Sequence, residues 1–219
     1  MNSLLLFAQA DIEPIARESL LLYYANACGI FFGPVFVLLS IIFVTLTIMN
    51  WLAISRNAIV PGEMLEQFHE KLNAKEYQEA YNVAKESDSV LGRILSVGLV
   101  QMSSNVVEAE RAMSDAAEEE VMRLEHRLSY LGTIASAAPM IGLLGTVWGM
   151  INAFNVIARG GPPQPSELAD GIALALVTTQ FGLMIAIPAL VLFEIFKNRL
   201  AQFVLELDIQ TENVVKQFK

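Results

Sequence analysis

An uncharged stretch from residue 128 to residue 158 places the strongest constraint on this chain. A helix that crosses a bilayer needs about 20 apolar residues, so this stretch is long enough to span a membrane. Projected at about 100° per residue, small and bulky side chains separate onto two faces. The small face carries Ala135, Ala138, Gly142, Gly145, Thr146, Gly149 and Ala153, and the bulky face carries Met140, Leu143, Leu144, Val147, Ile151 and Phe154. A small face predicts close contact with another helix, and ordinary helix packing is enough to explain it.

Two further uncharged stretches have the length of a membrane span. Residues 29–54 are bulky nearly all round, which predicts a peripheral helix that faces lipid. Residues 171–193 lie between Asp170 and Glu194 and repeat the two-faced design. Their small face carries Gly171, Ala175, Thr178, Thr179, Gly182, Ala186 and Ala189. Pro139 and Pro188 lie inside the second and third spans, where a proline frees a backbone carbonyl and can kink the helix.

The residues between the first two spans predict a helical domain. Amphipathic or apolar helices are expected at 63–73, 75–87 and 89–102. A long helix is expected to begin at Val106 and to continue without a break into the second span. The acidic run Glu118, Glu119 and Glu120 is expected to form a solvated face of that helix.

The sequence also predicts the structure of the segments near the chain ends and of the segment between the last two spans. Residues 11–27 predict a short amphipathic helix at the membrane surface. Residues 159–167 predict a loop because glycines and prolines cannot continue a helix, and Ser166 is the expected N-cap of the third span. Residues 194–219 predict an amphipathic continuation of the third span.

The positions of lysine and arginine predict the orientation, because cytoplasmic loops carry an excess of these residues. Arg56, Arg123, Arg127, Lys197 and Arg199 flank one side of the three spans, and only Arg17 and Arg159 flank the other. We therefore expect an all-α integral membrane protein with three transmembrane helices, an outer N-terminus and a cytoplasmic C-terminus. Its predicted parts are an outer amphipathic helix (1–28), a first span (29–54), a cytoplasmic helical domain (55–130), a second span (131–158), an outer loop (159–167), a third span (168–196) and a cytoplasmic C-terminal helix (197–219).

Composition excludes several classes of function. The chain has 219 residues, of which 54% are hydrophobic and 17% charged, too apolar for a typical soluble domain. A net charge of −9 argues against a nucleic-acid partner. The single cysteine, Cys28, cannot form an internal disulfide or a paired-cysteine metal site. No nucleotide-binding or hydrolase motif occurs, so we expect neither an enzyme nor a bound metal or cofactor.

Hydroxyl groups on the small faces hint at a polar lining. Thr146 lies on the second span, and Thr178 and Thr179 lie on the third. A membrane hydroxyl is most often satisfied by its own helix, whereas a proton relay usually needs an ionisable group inside the membrane. The spans contain none, since Asp170 and Glu194 stand at the two ends of the third span. If the chain carries protons, the titrating carboxylate must therefore come from a partner.

Two segments resemble signatures of the ExbB/TolQ/MotA proton-channel family. They are APMIGLLGTVWGMINAF (138–154) and ALVTTQFGLMIAIPAL (175–190), and the arrangement of one span, a helical domain and two spans resembles ExbB and TolQ over nearly the whole chain. The resemblance implies a pentamer in the bacterial inner membrane, whose second and third spans line a pore. It also implies that this pore holds two helices of an ExbD/TolR-like single-span partner with a membrane aspartate, which works on a TonB/TolA-like protein.

By motif, Thr146 and Thr179 match the family's pore threonines, and Pro139 and Pro188 match family prolines. Gly142, Gly145, Gly149 and Gly182 are expected to pack the pore helices. Leu174 departs from the pattern, because ExbB and TolQ commonly carry a glutamate there; Thr178, one turn later, is the candidate for keeping that region wet. An ExbB-like motor subunit is favoured on overall similarity, while a TolQ-like subunit and a non-conducting membrane scaffold remain open.

Overall fold

The structure is a computed structural model that describes residues 20–102, 105–158 and 165–217. Within these ranges the chain forms helices and no strand. The helices are α1 (Leu20–Ala53), α2 (Arg56–Ile59), α3 (Gly62–Asn73), α4 (Tyr77–Glu86), α5 (Val90–Met102), α6 (Val106–Ala158) and α7 (Pro165–Lys216). By length and composition α1, α6 and α7 are able to cross a membrane. The prediction of an all-helical chain with three membrane-length helices is confirmed in this part of the protein.

The chain divides into two compact units. Unit 1 comprises Met1–Ser40 and Ala137–Ile185, and unit 2 comprises Ile41–Ser136 and Ala186–Lys219. Helices α2 to α5 belong to unit 2, whereas α1, α6 and α7 each contribute residues to both units.

Helix α1 differs from its prediction at its N-terminal end. It begins at Leu20, so residues 20–27, expected to form a separate surface helix, belong to the same helix as the first span. No proline or turn sequence separates them, and Pro34 lies inside the helix, as membrane helices tolerate. The prediction for residues 11–19 lies outside the described residues. Most side chains of α1 from Phe31 onward are exposed in the single chain, and the peripheral, lipid-facing position of this helix stays a prediction.

Helices α3, α4 and α5, expected from the periodicity of residues 63–102, build part of the core of unit 2, to which α6 and α7 also contribute buried apolar residues. Helix α3 buries the three apolar side chains Met64, Phe68 and Leu72, which recur every fourth residue. Gly92 on α5 allows a close helix crossing, because a Cβ atom there would lie 2.6 Å from the carbonyl oxygen of Ala84. The short helix α2 was not predicted; the Ser55 hydroxyl caps it by accepting from the amide of Ala58 at 3.3 Å.

Glu120 corrects the prediction of a solvated acidic face. Glu118 and Glu119 are exposed, as expected, but Glu120 is buried. Its two carboxylate oxygens accept hydrogen bonds of 2.9 and 2.8 Å from Nε and Nη2 of Arg93 on α5. Arg123 lies 3.3 Å from the same carboxylate. The carboxylate is buried because two arginines satisfy it, a partnership that the local acidic run does not reveal.

The beginning of α7 also differs from its prediction. Helix α7 begins at Pro165, so Ser166 is the second residue of the helix and not its N-cap. Proline suits a first helical position, because its missing N–H would have no partner there and its fixed φ angle fits the helix. At the other end, α7 continues to Lys216 and buries Phe196, Leu200, Leu207 and Val214, four apolar residues of the expected amphipathic pattern.

Candidate functional site

The small faces of α6 and α7 pack against each other within unit 1. A Cβ atom at Gly182 would lie 2.7 Å from the carbonyl oxygen of Ala138 and 3.1 Å from the Cα atom of Gly142. A Cβ atom at Gly149 would lie 2.6 Å from the carbonyl oxygen of Gly171. These glycines, with Ala153 and Ala175, are buried. The two backbones therefore touch, and the predicted close approach of a second helix is made within the same chain.

Thr178 lies in the middle of this contact. Its side chain is fully buried and packs directly against Gly145. Its hydroxyl donates to backbone carbonyls of its own helix, those of Leu174 at 2.9 Å and Ala175 at 3.1 Å. In the single chain Thr178 thus fills the space that Gly145 leaves, and its proposed role beside water is not tested by this packing.

Thr146 and Thr179 are more accessible than Thr178, and both are half-buried. The Thr146 hydroxyl donates to the Leu143 carbonyl at 2.6 Å. The Thr179 hydroxyl lies 3.3 Å from the Ala175 carbonyl and 3.5 Å from the Gly142 carbonyl of the facing helix. Since a hydroxyl has one donor and two acceptor lone pairs, both oxygens can still accept a hydrogen bond. Each threonine can therefore receive a proton donor from outside the chain.

The two prolines and Leu174 lie inside continuous helices. Pro139 is half-buried within α6 and Pro188 is exposed within α7, and neither residue ends its helix. The kinks expected at these residues stay a prediction. Leu174, which stands in place of the family glutamate, is half-buried, and it serves the local structure through its carbonyl, the acceptor for Thr178.

The bulky face of α6 points away from α7. The expected side chains, Met140, Leu143, Leu144, Val147, Ile151 and Phe154, are all exposed in the single chain. Exposed apolar residues in such numbers require lipid or another protein chain to cover them. Among the described residues, no cluster of three or more histidine, cysteine, aspartate or glutamate side chains is arranged to hold a metal ion.

Sequence reasoning missed two polar features of unit 2. Asn50 on α1 is buried, and its side-chain amide donates to the Leu46 carbonyl at 2.8 Å, but its Oδ1 atom has no partner among the residues that the structure describes. At the neighbouring position the Trp51 ring packs edge-on against Phe196, with centroids 6.2 Å apart, and the guanidinium of Arg199 lies 5.4 Å from the Trp51 ring centre. An asparagine in an otherwise apolar run was the one available signal for the first feature.

The fold and these contacts define a class of protein: a helical membrane protein in which two spans with hydroxyl-bearing small faces are packed backbone to backbone. A family model described as the MotA/TolQ/ExbB proton channel family matches residues 86–209. Since this match covers more than half of the chain, the protein belongs to that family.

Curated relatives agree with this assignment. The Tol-Pal system protein TolQ of Haemophilus influenzae is 31% identical over 199 residues, which cover 83% of this chain and 86% of the relative. The biopolymer transport protein ExbB of Salmonella typhimurium is 32% identical over 167 residues, which cover 67% of this chain and 68% of the relative. A TolQ protein of Pseudomonas aeruginosa is 42% identical over 89 residues, or 41% of this chain and 38% of the relative. The family resemblance expected from residues 138–154 and 175–190 is confirmed.

Proposed function

We propose that this chain is the pore-forming subunit of a proton-motive-force-driven motor in the bacterial inner membrane. The observation that carries the proposal is the pair α6 and α7, which present hydroxyls but no carboxylate inside the membrane, in a chain of a proton-channel family. A proton relay through a membrane usually needs an ionisable group at membrane depth. The chain therefore supplies the lining, and a partner supplies the acid.

The partner best suited to this lining is an ExbD/TolR-like single-span protein with one membrane aspartate. Thr146 and Thr179 retain acceptor lone pairs, and their hydroxyl protons can be redirected towards a carboxylate. A threonine can therefore donate to the ionised aspartate and accept from the protonated acid. This two-way capacity suits a site whose protonation alternates, and Thr178 contributes by setting the distance between α6 and α7.

Several copies of the chain are needed to enclose such a partner. The exposed apolar faces of α6 and α7 provide the surface on which neighbouring copies and lipid would pack. We propose a pentamer with α6 and α7 around the pore and α1 at the periphery, the N-terminus in the periplasm and the C-terminus in the cytoplasm. The motor would energise outer-membrane transport through a TonB-like protein.

The proposal is tested by removing single hydroxyls without changing side-chain shape. Thr146→Val and Thr179→Val, each purified with the partner, are reconstituted into liposomes that contain a pH-sensitive dye. We expect both variants to assemble normally and to lose most of the proton flux. Thr45→Val is the matched control, because Thr45 is an exposed hydroxyl on α1 that also bonds to its own helix, at 2.8 Å from the Ile41 carbonyl. Full flux in both test variants would remove the assignment.

A TolQ-like role is the second candidate. The Haemophilus TolQ protein aligns with 83% of the chain, against 67% for the Salmonella ExbB protein, at nearly equal identity. Expression in bacteria that lack either system separates the roles: restored outer-membrane transport supports the ExbB-like role, and restored outer-membrane integrity supports the TolQ-like role. A non-conducting scaffold would restore neither and would leave liposomes proton-tight with any partner.

A further inference from the structure

Trp51 and Arg199 form a stacked pair at the C-terminal ends of two spans. The guanidinium of Arg199 on α7 lies 5.4 Å from the ring centre of Trp51 on α1, and this ring packs edge-on against Phe196. The side chains of Trp51 and Arg199 are both exposed in the single chain. A guanidinium that stacks on an indole ring is held in place while its N–H groups stay free to donate. The pair therefore presents a positioned cation at the surface of the chain.

Arg199 has no carboxylate partner within its own chain. Residues three and four positions away on a helix are neighbours. Around Arg199 these neighbours are all uncharged, namely Ile195, Phe196, Gln202 and Phe203. Glu206, seven residues further along α7, accepts a hydrogen bond of 3.1 Å from Arg56. Among the described residues no ion pair includes Arg199, so its charge is available to an anion from outside the chain.

Exposed apolar side chains lead towards this cation along both helices. On each helix they recur every three or four residues and therefore share one face. The apolar strip consists of Ile41, Val44 and Ile48 on α1, which precede Trp51, and of Val191 and Ile195 on α7, which precede Arg199. Apolar side chains exposed in a continuous row require lipid or another protein chain to cover them.

The two halves of the apolar strip run side by side. Trp51 contacts Phe196 and Arg56 contacts Glu206, so the end of α1 and this part of α7 run in the same direction. From Ile41 to Trp51 the strip is about 15 Å long at about 1.5 Å per residue, which is half of the hydrocarbon core of a bilayer, about 30 Å. The strip therefore has the length of one lipid leaflet, and the cation lies at its polar edge.

We propose that the apolar strip and Arg199 bind a phospholipid with an anionic headgroup. Its phosphate group pairs with the guanidinium, which can donate two parallel hydrogen bonds to phosphate oxygens. One acyl chain lies along the strip, and the Trp51 ring takes the depth of the headgroups, where tryptophan is enriched in membrane proteins. A headgroup without net charge binds less well, because its own cation competes with Arg199 for the phosphate. A soluble anion would use the guanidinium and leave the strip uncovered.

Quenching of Trp51 fluorescence tests which lipid lies at this site. The chain has two tryptophans, so Trp148→Phe leaves Trp51 as the only one. The full-length protein is reconstituted into phosphatidylcholine vesicles that contain a small fraction of one brominated lipid, either phosphatidylglycerol or phosphatidylcholine. Bromine atoms on the acyl chain quench a tryptophan that they contact. We expect the apparent binding constant to be about fivefold higher for phosphatidylglycerol, the effect of one basic side chain at a membrane surface.

Three outcomes of this comparison would overturn the proposal. Equal quenching by both brominated lipids would show that the strip contacts lipid without selecting a headgroup. Absence of quenching by either lipid would show that protein, such as a second copy of the chain, covers Trp51. A preference that millimolar inorganic phosphate abolishes, relative to sodium chloride at equal ionic strength, would indicate a site for soluble anions instead.

Charge variants locate the preference for phosphatidylglycerol. Arg199→Gln should abolish it, and the matched control is Lys197→Gln, which removes an exposed lysine that lies 5.9 Å from the Phe193 ring centre on a different face of α7. Gln202→Glu leaves Arg199 and Trp51 in place and adds a carboxylate one turn away, so it should also lower the preference. This variant decides the result if Arg199→Gln fails to fold. An equal loss in Lys197→Gln and Arg199→Gln, or an unchanged preference in Gln202→Glu, would overturn the site.

Discussion

The ion pair between Arg93 and Glu120 gives the sharpest prediction about stability. The carboxylate of Glu120 has only 12% of its side-chain surface exposed, while Arg93 is 47% exposed and also donates to the Asp88 carbonyl at 3.0 Å. Replacing Arg93 by methionine leaves a largely buried carboxylate with Arg123 as its remaining partner. Breaking a fully buried pair costs about 3–5 kcal/mol, and an exposed pair is worth about 0–1 kcal/mol. For this half-exposed pair we expect a cost of about 1–3 kcal/mol.

Hydrogen exchange measures that cost locally, without unfolding the membrane helices. The pair joins α5 to α6, so amide exchange in α5 should accelerate by about 5- to 150-fold in Arg93→Met. Lys216→Met is the control, since Lys216 and Glu212 are both more than 60% exposed and should change exchange little. The double variant Arg93→Met with Glu120→Met should recover part of the protection, because it removes the unpaired charge. Exchange in α5 that is no faster in Arg93→Met than in Lys216→Met would show that the ion pair does not stabilise the contact between α5 and α6.

Three further predictions concern other contacts. Gly182→Val should weaken the packing of α6 against α7 by about 1–3 kcal/mol, because its Cβ would meet the Ala138 carbonyl. Gly62→Ala should not destabilise the protein, because nothing lies within 4 Å of a Cβ atom at Gly62. Thermal unfolding in detergent compares the two variants. Lys75→Gly should stabilise the turn between α3 and α4 by up to about 1 kcal/mol, since Lys75 has a φ angle of 60°, which glycine adopts more easily. Urea denaturation measures the change, and a lower free energy of unfolding in the variant would contradict the prediction. Lys71 donates a hydrogen bond to Glu79 and holds the pKa of that carboxyl below 4.5. Lys71→Met should therefore return the pKa of Glu79 towards 4.5 in an NMR titration. The Lys71–Glu79 contribution to stability should be present above pH 4.5 and disappear as the pH falls through the lowered pKa.

Features that depend on neighbours along one helix were predictable. The uncharged stretches indicated three membrane-length helices, and the spacing of small residues indicated which sides of α6 and α7 would touch. The continuity of α6 from Val106 followed from unbroken helical periodicity. These predictions succeeded because length, charge and period 3.6 act locally, and because a bilayer leaves helices little choice of conformation.

Features that depend on distant residues were not predictable. Glu120 belongs to an acidic run that looks solvated until Arg93, 27 residues earlier, is brought beside it. Asn50 looks like any polar residue near a span end, and its burial comes from tertiary packing. Thr178 could be assigned to a small face, but the pattern could not show that its hydroxyl would be enclosed by its own helix and Gly145 while Thr179 stays partly open.

The backbone contact between α6 and α7 has a mechanical consequence. Where glycines bring two helices into backbone contact, no layer of flexible side chains lies between them to accommodate sliding. Within unit 1, α6 and α7 therefore move together as one rigid helix pair. In the proposed pentamer, any change of pore width would then occur at the contacts between neighbouring subunits. If the proposed motor function holds, a disulfide across such a contact between subunits should abolish its proton flux, and one between α6 and α7 of the same chain should leave the flux unchanged.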